Sequence, residues 1–188
     1  MKLNGRLIFF VLVLVALTTA CKYFFGPDLD WSGFSPVIAI ALFSGFIIKQ
    51  KDISFLLPLL ALFISDAVIE FLYSQQLFPY AGFYSAQWIH YLILLVSVLI
   101  GWILKGRNYS SLSAGVIAAP TFFFLLSNLV VWMGPQVTYP KNFSGLISCY
   151  EAGLPFYRNS LIATLLFLPV ILLAYNYLIK KKAELKLA

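Results

Sequence analysis

The sequence predicts an all-α integral membrane protein with six helices, and its composition, apolar runs and basic residues support that fold class. Of its 188 residues, 62% are apolar and 11% are charged. A soluble domain carries about 45–50% apolar and about 25% charged residues. So little charge cannot keep a globule of this size in water, which excludes soluble enzymes and nucleic-acid-binding domains. We expect one transmembrane domain over residues 1–188.

The first predicted helix covers residues 7–25. The apolar run reaches Thr18-Thr19-Ala20-Cys21, which resembles a lipoprotein signal. Such signals usually carry an aliphatic residue where Thr18 stands. The run also continues to Phe25, about 19 residues, which is long enough to cross about 30 Å of hydrocarbon. We therefore expect the segment to be retained as a spanning helix.

Five more apolar runs follow, separated by Gly, Pro and charged residues; they cover residues 34–48, 54–73, 86–104, 111–133 and 159–179. The second run is short, because only the 13 residues from Pro36 to Ile48 are uninterrupted. It is tilted, shielded by neighbouring helices, or re-entrant. The connections near 49–53 and 105–110 are tight, whereas those at 22–33, 74–85 and 134–158 are long.

The distribution of Lys and Arg predicts the orientation, because basic residues are retained on the cytoplasmic side. With the N-terminus inside, ten of the 13 basic residues fall on the inner side: Lys2, Arg6, Lys49, Lys51, Lys105, Arg107, Lys180, Lys181, Lys182 and Lys186. Lys22, Lys141 and Arg158 fall on the outer side. Both termini are therefore expected in the cytoplasm.

Four polar residues fall in the outer halves of three predicted helices: Asp66, Glu70, His90 and Asn128. A charge at the bilayer centre costs roughly 2.5–3.5 kcal/mol, so each residue needs an explanation. Asp66 and Glu70 lie four residues apart on one helix face, where two carboxylates can attract a cationic or hydrogen-bonding ligand or share a proton. The alternative is structural: these side chains hydrogen-bond neighbouring helices or reach the interface.

Aromatic residues are frequent near the predicted outer loops. Trp31, Trp88, Trp132 and Tyr150 are candidates for stacking on a planar ligand, and the alternative is the interfacial aromatic belt of any membrane protein. The sequence has no Gly-x-Ser-x-Gly, no HExxH and no Gly-rich phosphate loop. Its two cysteines and single histidine lack a metal-ligand spacing. We expect no enzymatic activity, metal or cofactor, and no nucleic-acid partner.

Ala16 and Ala20 form a small-xxx-small pair on the first helix, which lets another helix approach closely. With six short helices and polar residues beneath long outer loops, the chain resembles the substrate-binding S components of energy-coupling-factor vitamin transporters. It is most similar to an uncharacterised group of bacterial S-component-like membrane proteins. The matching stretches are Phe34-Ser35-Pro36-Val37 continuing to Gly45, Pro58 with Ser65-Asp66, Ser127-Asn128 with Val131-Trp132, Tyr139-Pro140, Gly145-Leu146, Cys149-Tyr150, and residues 152–159.

The resemblance implies a substrate-capture component in the bacterial cytoplasmic (inner) membrane, with a transmembrane coupling subunit and ATPases as partners that dock at Ala16 and Ala20. It implies no particular ligand. The residue before Phe34, commonly Asn in the group, is Gly33 here. Some solitary relatives associated with cobalamin uptake ligate cobalt through a cysteine, which makes Cys149, in the predicted loop 134–158, a candidate cobalt ligand.

Three hypotheses follow. The first is capture of a vitamin-like micronutrient, with Asp66, Glu70 and Asn128 at its polar edge. The second is a structural or assembly membrane protein without a transported ligand. The third is cobalamin-type uptake through Cys149.

Overall fold

The computed structural model describes residues 5–106, 108–135 and 138–179, and these residues form six helices and no strand. The helices are α1 (Gly5–Phe25), α2 (Val37–Ile47), α3 (Lys51–Ser74), α4 (Gln87–Leu104), α5 (Tyr109–Met133) and α6 (Phe143–Leu178). All of them except α2 are long and apolar enough to cross a membrane. The all-α class, with several helices long and apolar enough to cross a membrane, is therefore confirmed.

Large apolar side chains project outward from all five long helices. Examples are Leu12, Leu56, Ile103, Ile117 and Leu165. Exposed apolar surface on this scale is unusual for a protein in water, and it is what the hydrocarbon of a bilayer solvates. The chain thus has the surface of a multi-pass membrane protein. Of the basic residues used to predict its orientation, Lys2, Arg107, Lys180, Lys181, Lys182 and Lys186 lie outside the described residues.

The short helix α2 lies at the centre and contacts α3, α4, α5 and α6. Every residue from Val37 to Phe46 is buried. Gly45 faces Gly101 of α4 so closely that a side chain at either position would collide with the backbone of the other helix. At about 1.5 Å per residue, its 11 residues cover about 16 Å. It is shorter than the predicted 34–48 segment, and its neighbours shield it.

Helix α6 differs most from the prediction, because it begins at Phe143 rather than at residue 159. The predicted outer loop 134–158 was wrong: only residues 134–142 connect α5 to α6. Asn142 caps the helix, its side chain accepting a hydrogen bond from the Gly145 N–H at 2.9 Å. Pro155 lies inside the helix, although an interior proline costs about 3 kcal/mol. Packing of this half of α6 against α5 offsets that cost, and the sequence pattern does not reveal it.

The other predicted helices agree with the structure within three residues at each end. The cap of α5 illustrates why its start is well defined. The Asn108 side chain accepts from the Ser111 N–H at 2.8 Å, and the Asn108 N–H donates to the Ser111 hydroxyl at 3.3 Å. Such reciprocal bonds satisfy donors that the first turn leaves free.

Candidate functional site

A cavity of about 770 Å³ lies at the end of the bundle where α1, α3 and α5 finish and where α4 and α6 begin. All six helices contribute to its wall, together with the connecting segments 26–36 and 75–86. Ligand sites commonly measure about 300–1,000 Å³ and are mostly apolar with a few placed polar groups. The size of this cavity and the many aromatic rings in its wall fit that description.

Asp66 of α3 is the polar centre of the cavity wall. Its Oδ1 pairs with the Lys22 ammonium from the last turn of α1. Its Oδ2 accepts hydrogen bonds from Gln87 Nε2 at 2.8 Å and from the Tyr91 hydroxyl at 2.6 Å, both on α4. One buried carboxylate therefore joins three helices, and charge-assisted bonds of this kind are about twice as strong as neutral ones.

Lys22, Gln87 and Tyr91 were missed as site residues in the sequence. Lys22 had been counted only as one of three outer basic residues. Gln87 and Tyr91 lie four residues apart, so the sequence does place them on one face of α4. Nothing in that spacing identifies Asp66 as their acceptor.

Segment 75–86 covers the cavity near α3. The Glu70 carboxylate accepts from the Phe83 N–H at 3.1 Å, and Gln87 binds both the Tyr84 N–H and the Gly82 carbonyl at 3.1 Å. Gly82 packs so tightly that a Cβ there would collide with the Asp66 carbonyl oxygen and the Glu70 nitrogen. Glu70, predicted as a ligand contact, anchors this segment and does not line the cavity.

Segment 26–36 is fastened to α6 in a similar way. Asn159 Nδ2 donates to the carbonyl oxygens of Asp30 at 2.8 Å and Ser32 at 2.9 Å, and the Ser160 hydroxyl donates to the Gly33 carbonyl at 3.2 Å. Gly33 has φ of 87° and lies against the Phe156 backbone. That left-handed conformation suits glycine because it has no Cβ.

The wall formed by α5 and α6 contains Asn128 and Cys149. Asn128 Nδ2 donates to the Phe124 carbonyl at 2.9 Å, and Cys149 Sγ donates to the Asn128 carbonyl at 3.5 Å. Gly153 of α6 touches the Asn128 amide, where any side chain would clash. Cys149, which was predicted to lie in a loop, lies on α6 and is buried.

His90 also lines the cavity, beside Tyr84 at 5.9 Å between ring centroids. Burial and the negative charge of Asp66 raise the pKa of Tyr80 and of Tyr84, both in segment 75–86. These two hydroxyls therefore stay protonated at neutral pH and can donate hydrogen bonds.

The structure brings five of the nine predicted ligand residues to the cavity wall: Trp31, Asp66, His90, Asn128 and Cys149. The other four, Glu70, Trp88, Trp132 and Tyr150, do not line it. Trp88 is 64% exposed. Trp132 Nε1 donates to the Pro140 carbonyl at 3.0 Å, and the Tyr150 hydroxyl donates to the Leu125 carbonyl at 3.0 Å.

Ala16 and Ala20 lie together in a shallow apolar groove on the outer face of α1. The groove is completed by one residue of α3, Val68, and by five further residues of α1: Leu12, Val15, Thr19, Tyr23 and Phe24. The groove is separate from the cavity, although α1 contributes to both. The use of this groove for docking stays a prediction.

Comparison with known proteins gives a family. No curated protein and no solved structure matches the chain. A family of unknown function, DUF6580, matches residues 2–186. Because that match covers almost the whole sequence, the chain belongs to this family.

Proposed function

We propose that the protein is a membrane substrate-capture component for uptake of a vitamin-like small organic micronutrient, which binds in the 770 Å³ cavity. The observation that carries this proposal is the large cavity at one end of the helix bundle. Helix packing alone favours filled interiors with few voids. A space this large, with aromatic walls and fixed polar groups, is what a ligand site requires.

The proposal includes the orientation expected from the basic residues. Both termini lie in the cytoplasm of a bacterium, all six helices form an S-component-like bundle in its inner membrane, and the cavity opens towards the outer side. The central position of α2 supports this bundle, because a helix of 11 residues needs shielding on every side to lie within a membrane.

Uptake driven by ATP would need partner subunits, because the sequence has no phosphate-binding loop. A coupling subunit would dock at the groove containing Ala16 and Ala20, where small side chains allow close helix contact. Ala16→Trp should abolish co-purification of the coupling subunit and ATPases, whereas Leu165→Trp, on an exposed part of α6, should not. An intact complex with Ala16→Trp would contradict this docking site.

A structural or assembly role is the second candidate, and Asp66 is the observation that favours it. Its three hydrogen-bonding partners join α1, α3 and α4 without any ligand. The cobalamin hypothesis ranks third, since the Cys149 thiol already donates to a backbone carbonyl.

Thermal-shift measurements on purified protein against a panel of vitamins separate the first two candidates. Capture predicts that one compound stabilises the wild type, and that Asn128→Ala in the cavity wall weakens the effect. The exposed variant Trp88→Ala should behave as wild type. No shift with any compound of a broad panel would favour the structural role.

A further inference from the structure

The charges of the cavity wall balance each other. Apart from His90, the acidic and basic side chains among the described residues that line it are Asp66 and Lys22, and they pair with one another. A ligand that brings a net charge would lie in this mostly apolar cavity without a counter-ion. Burying an uncompensated ion costs far more than burying a neutral polar group.

Asp66 has little capacity left for a ligand. A carboxylate has about four acceptor positions, and Lys22, Gln87 and Tyr91 occupy three of them. The residue is also buried. A cationic ligand would have to displace Lys22, which would then lose its carboxylate partner.

Lys22, in contrast, has capacity to bind a ligand. An ammonium group has three N–H donors, and the one described ion pair, to Asp66, uses one of them. The Lys22 side chain is 19% exposed and lines the cavity. Tyr80 and Tyr84 line the same space and add hydroxyl donors.

The remaining wall favours a flat ligand. Phe123, Phe124, Phe156 and Trp31 line the cavity with aromatic rings, and aromatic faces pack well against planar rings. The hydrogen-bond donors and the aromatic rings of the wall together suit a planar ligand that carries hydrogen-bond acceptors.

We propose that the cavity selects a planar ligand without net charge whose rim carries hydrogen-bond acceptors for the Lys22 ammonium, and that it discriminates against cations. This inference rests on the proposed function, and it deepens that proposal by naming the chemical class of the substrate.

Three matched probes test the inference: benzamide, benzoate and the benzamidinium cation. Each probe has a phenyl ring with one small planar substituent, and their charges are 0, −1 and +1. Ligand-observed NMR titrations use the full-length protein in lipid nanodiscs, with empty nanodiscs as the blank. The wild type should bind benzamide at least about tenfold more tightly than either ion.

Asp66→Asn should reverse this selectivity, because Lys22 then lacks its counter-ion. The affinity for benzoate should rise at least about tenfold relative to benzamide. The double variant Lys22→Met/Asp66→Asn should restore the preference for benzamide over benzoate, and Trp88→Ala should match the wild type. The order of the three probes in the wild type is informative even where a variant does not fold.

The outcomes separate the two proposals. Binding of benzamidinium as tightly as benzamide, or the same benzoate-to-benzamide ratio in a folded Asp66→Asn variant, would overturn the charge selectivity while leaving the cavity as a ligand site. No binding of any probe to the wild type would overturn this inference, whereas the proposed function fails only if the panel of vitamins gives no thermal shift either.

Discussion

Replacement of Asp66 by alanine removes the acceptor that joins three helices, and its cost follows from the groups left behind. Lys22 loses its buried counter-ion, and breaking a buried pair typically costs about 3–5 kcal/mol. Its side chain is 19% exposed, so water in the cavity reduces this term to about 2 kcal/mol. Gln87 and Tyr91 each lose a charge-assisted hydrogen bond, about 1 kcal/mol apiece where water can replace it. We expect Asp66→Ala to lower the free energy of unfolding by about 4 kcal/mol.

Equilibrium unfolding in mixed micelles, followed by tryptophan fluorescence, measures this loss. Lys22→Met should cost less than Asp66→Ala, because Asp66 keeps two of its three donors. The double variant should cost at least about 1 kcal/mol less than the sum of the single variants, since it leaves no lone charge. A loss below about 1 kcal/mol for Asp66→Ala, or strict additivity in the double variant, would refute the account of this network.

Three further predictions concern the segments that cover the cavity. Gly82→Ala should destabilise the protein by about 1–3 kcal/mol, because the new Cβ meets the α3 backbone; Gly5→Ala, which meets open space, is the control in the same unfolding assay. Asn159→Ala should increase amide hydrogen exchange in residues 26–36 and leave exchange in 75–86 unchanged, because two hydrogen bonds to carbonyls of the first segment are lost. Equal exchange of residues 26–36 in the wild type and in Asn159→Ala would contradict this. Glu70→Ala should increase exchange at Phe83 and change benzamide affinity less than threefold, and a tenfold loss would return Glu70 to the list of ligand contacts.

The sequence predicted most of the fold because the signals for spanning helices are local. Apolar runs and their flanking polar residues placed α1, α3, α4 and α5 within three residues. The first half of α6 was not predicted, because contacts with another helix stabilise it. Gly153, Pro155 and Arg158 look like loop residues in the sequence, whereas in the structure this half of α6 packs against α5, with Gly153 against the Asn128 amide.

The candidate site was predicted in part, for a related reason. Asp66 and Asn128 stand out in the sequence because a polar residue within an apolar run is costly. Lys22 and Gln87 lie at helix ends, where polar residues are ordinary, so their role depends on three helices meeting. Trp88 shows the converse: its side chain suits a ligand, yet its position on α4 turns it outward.

The most direct test of a ligand in the cavity is native mass spectrometry of the protein released from nanodiscs prepared from its own membranes. The account predicts that an organic compound of defined mass stays bound, at up to one per chain. The compound should be lost in Ser127→Trp, because Ser127 lines the cavity and the larger side chain occupies part of it. Leu165→Trp, on an exposed part of α6, should retain it. Protein that carries no such compound and that also gains none after incubation with extracts of its own cells would contradict the central claim.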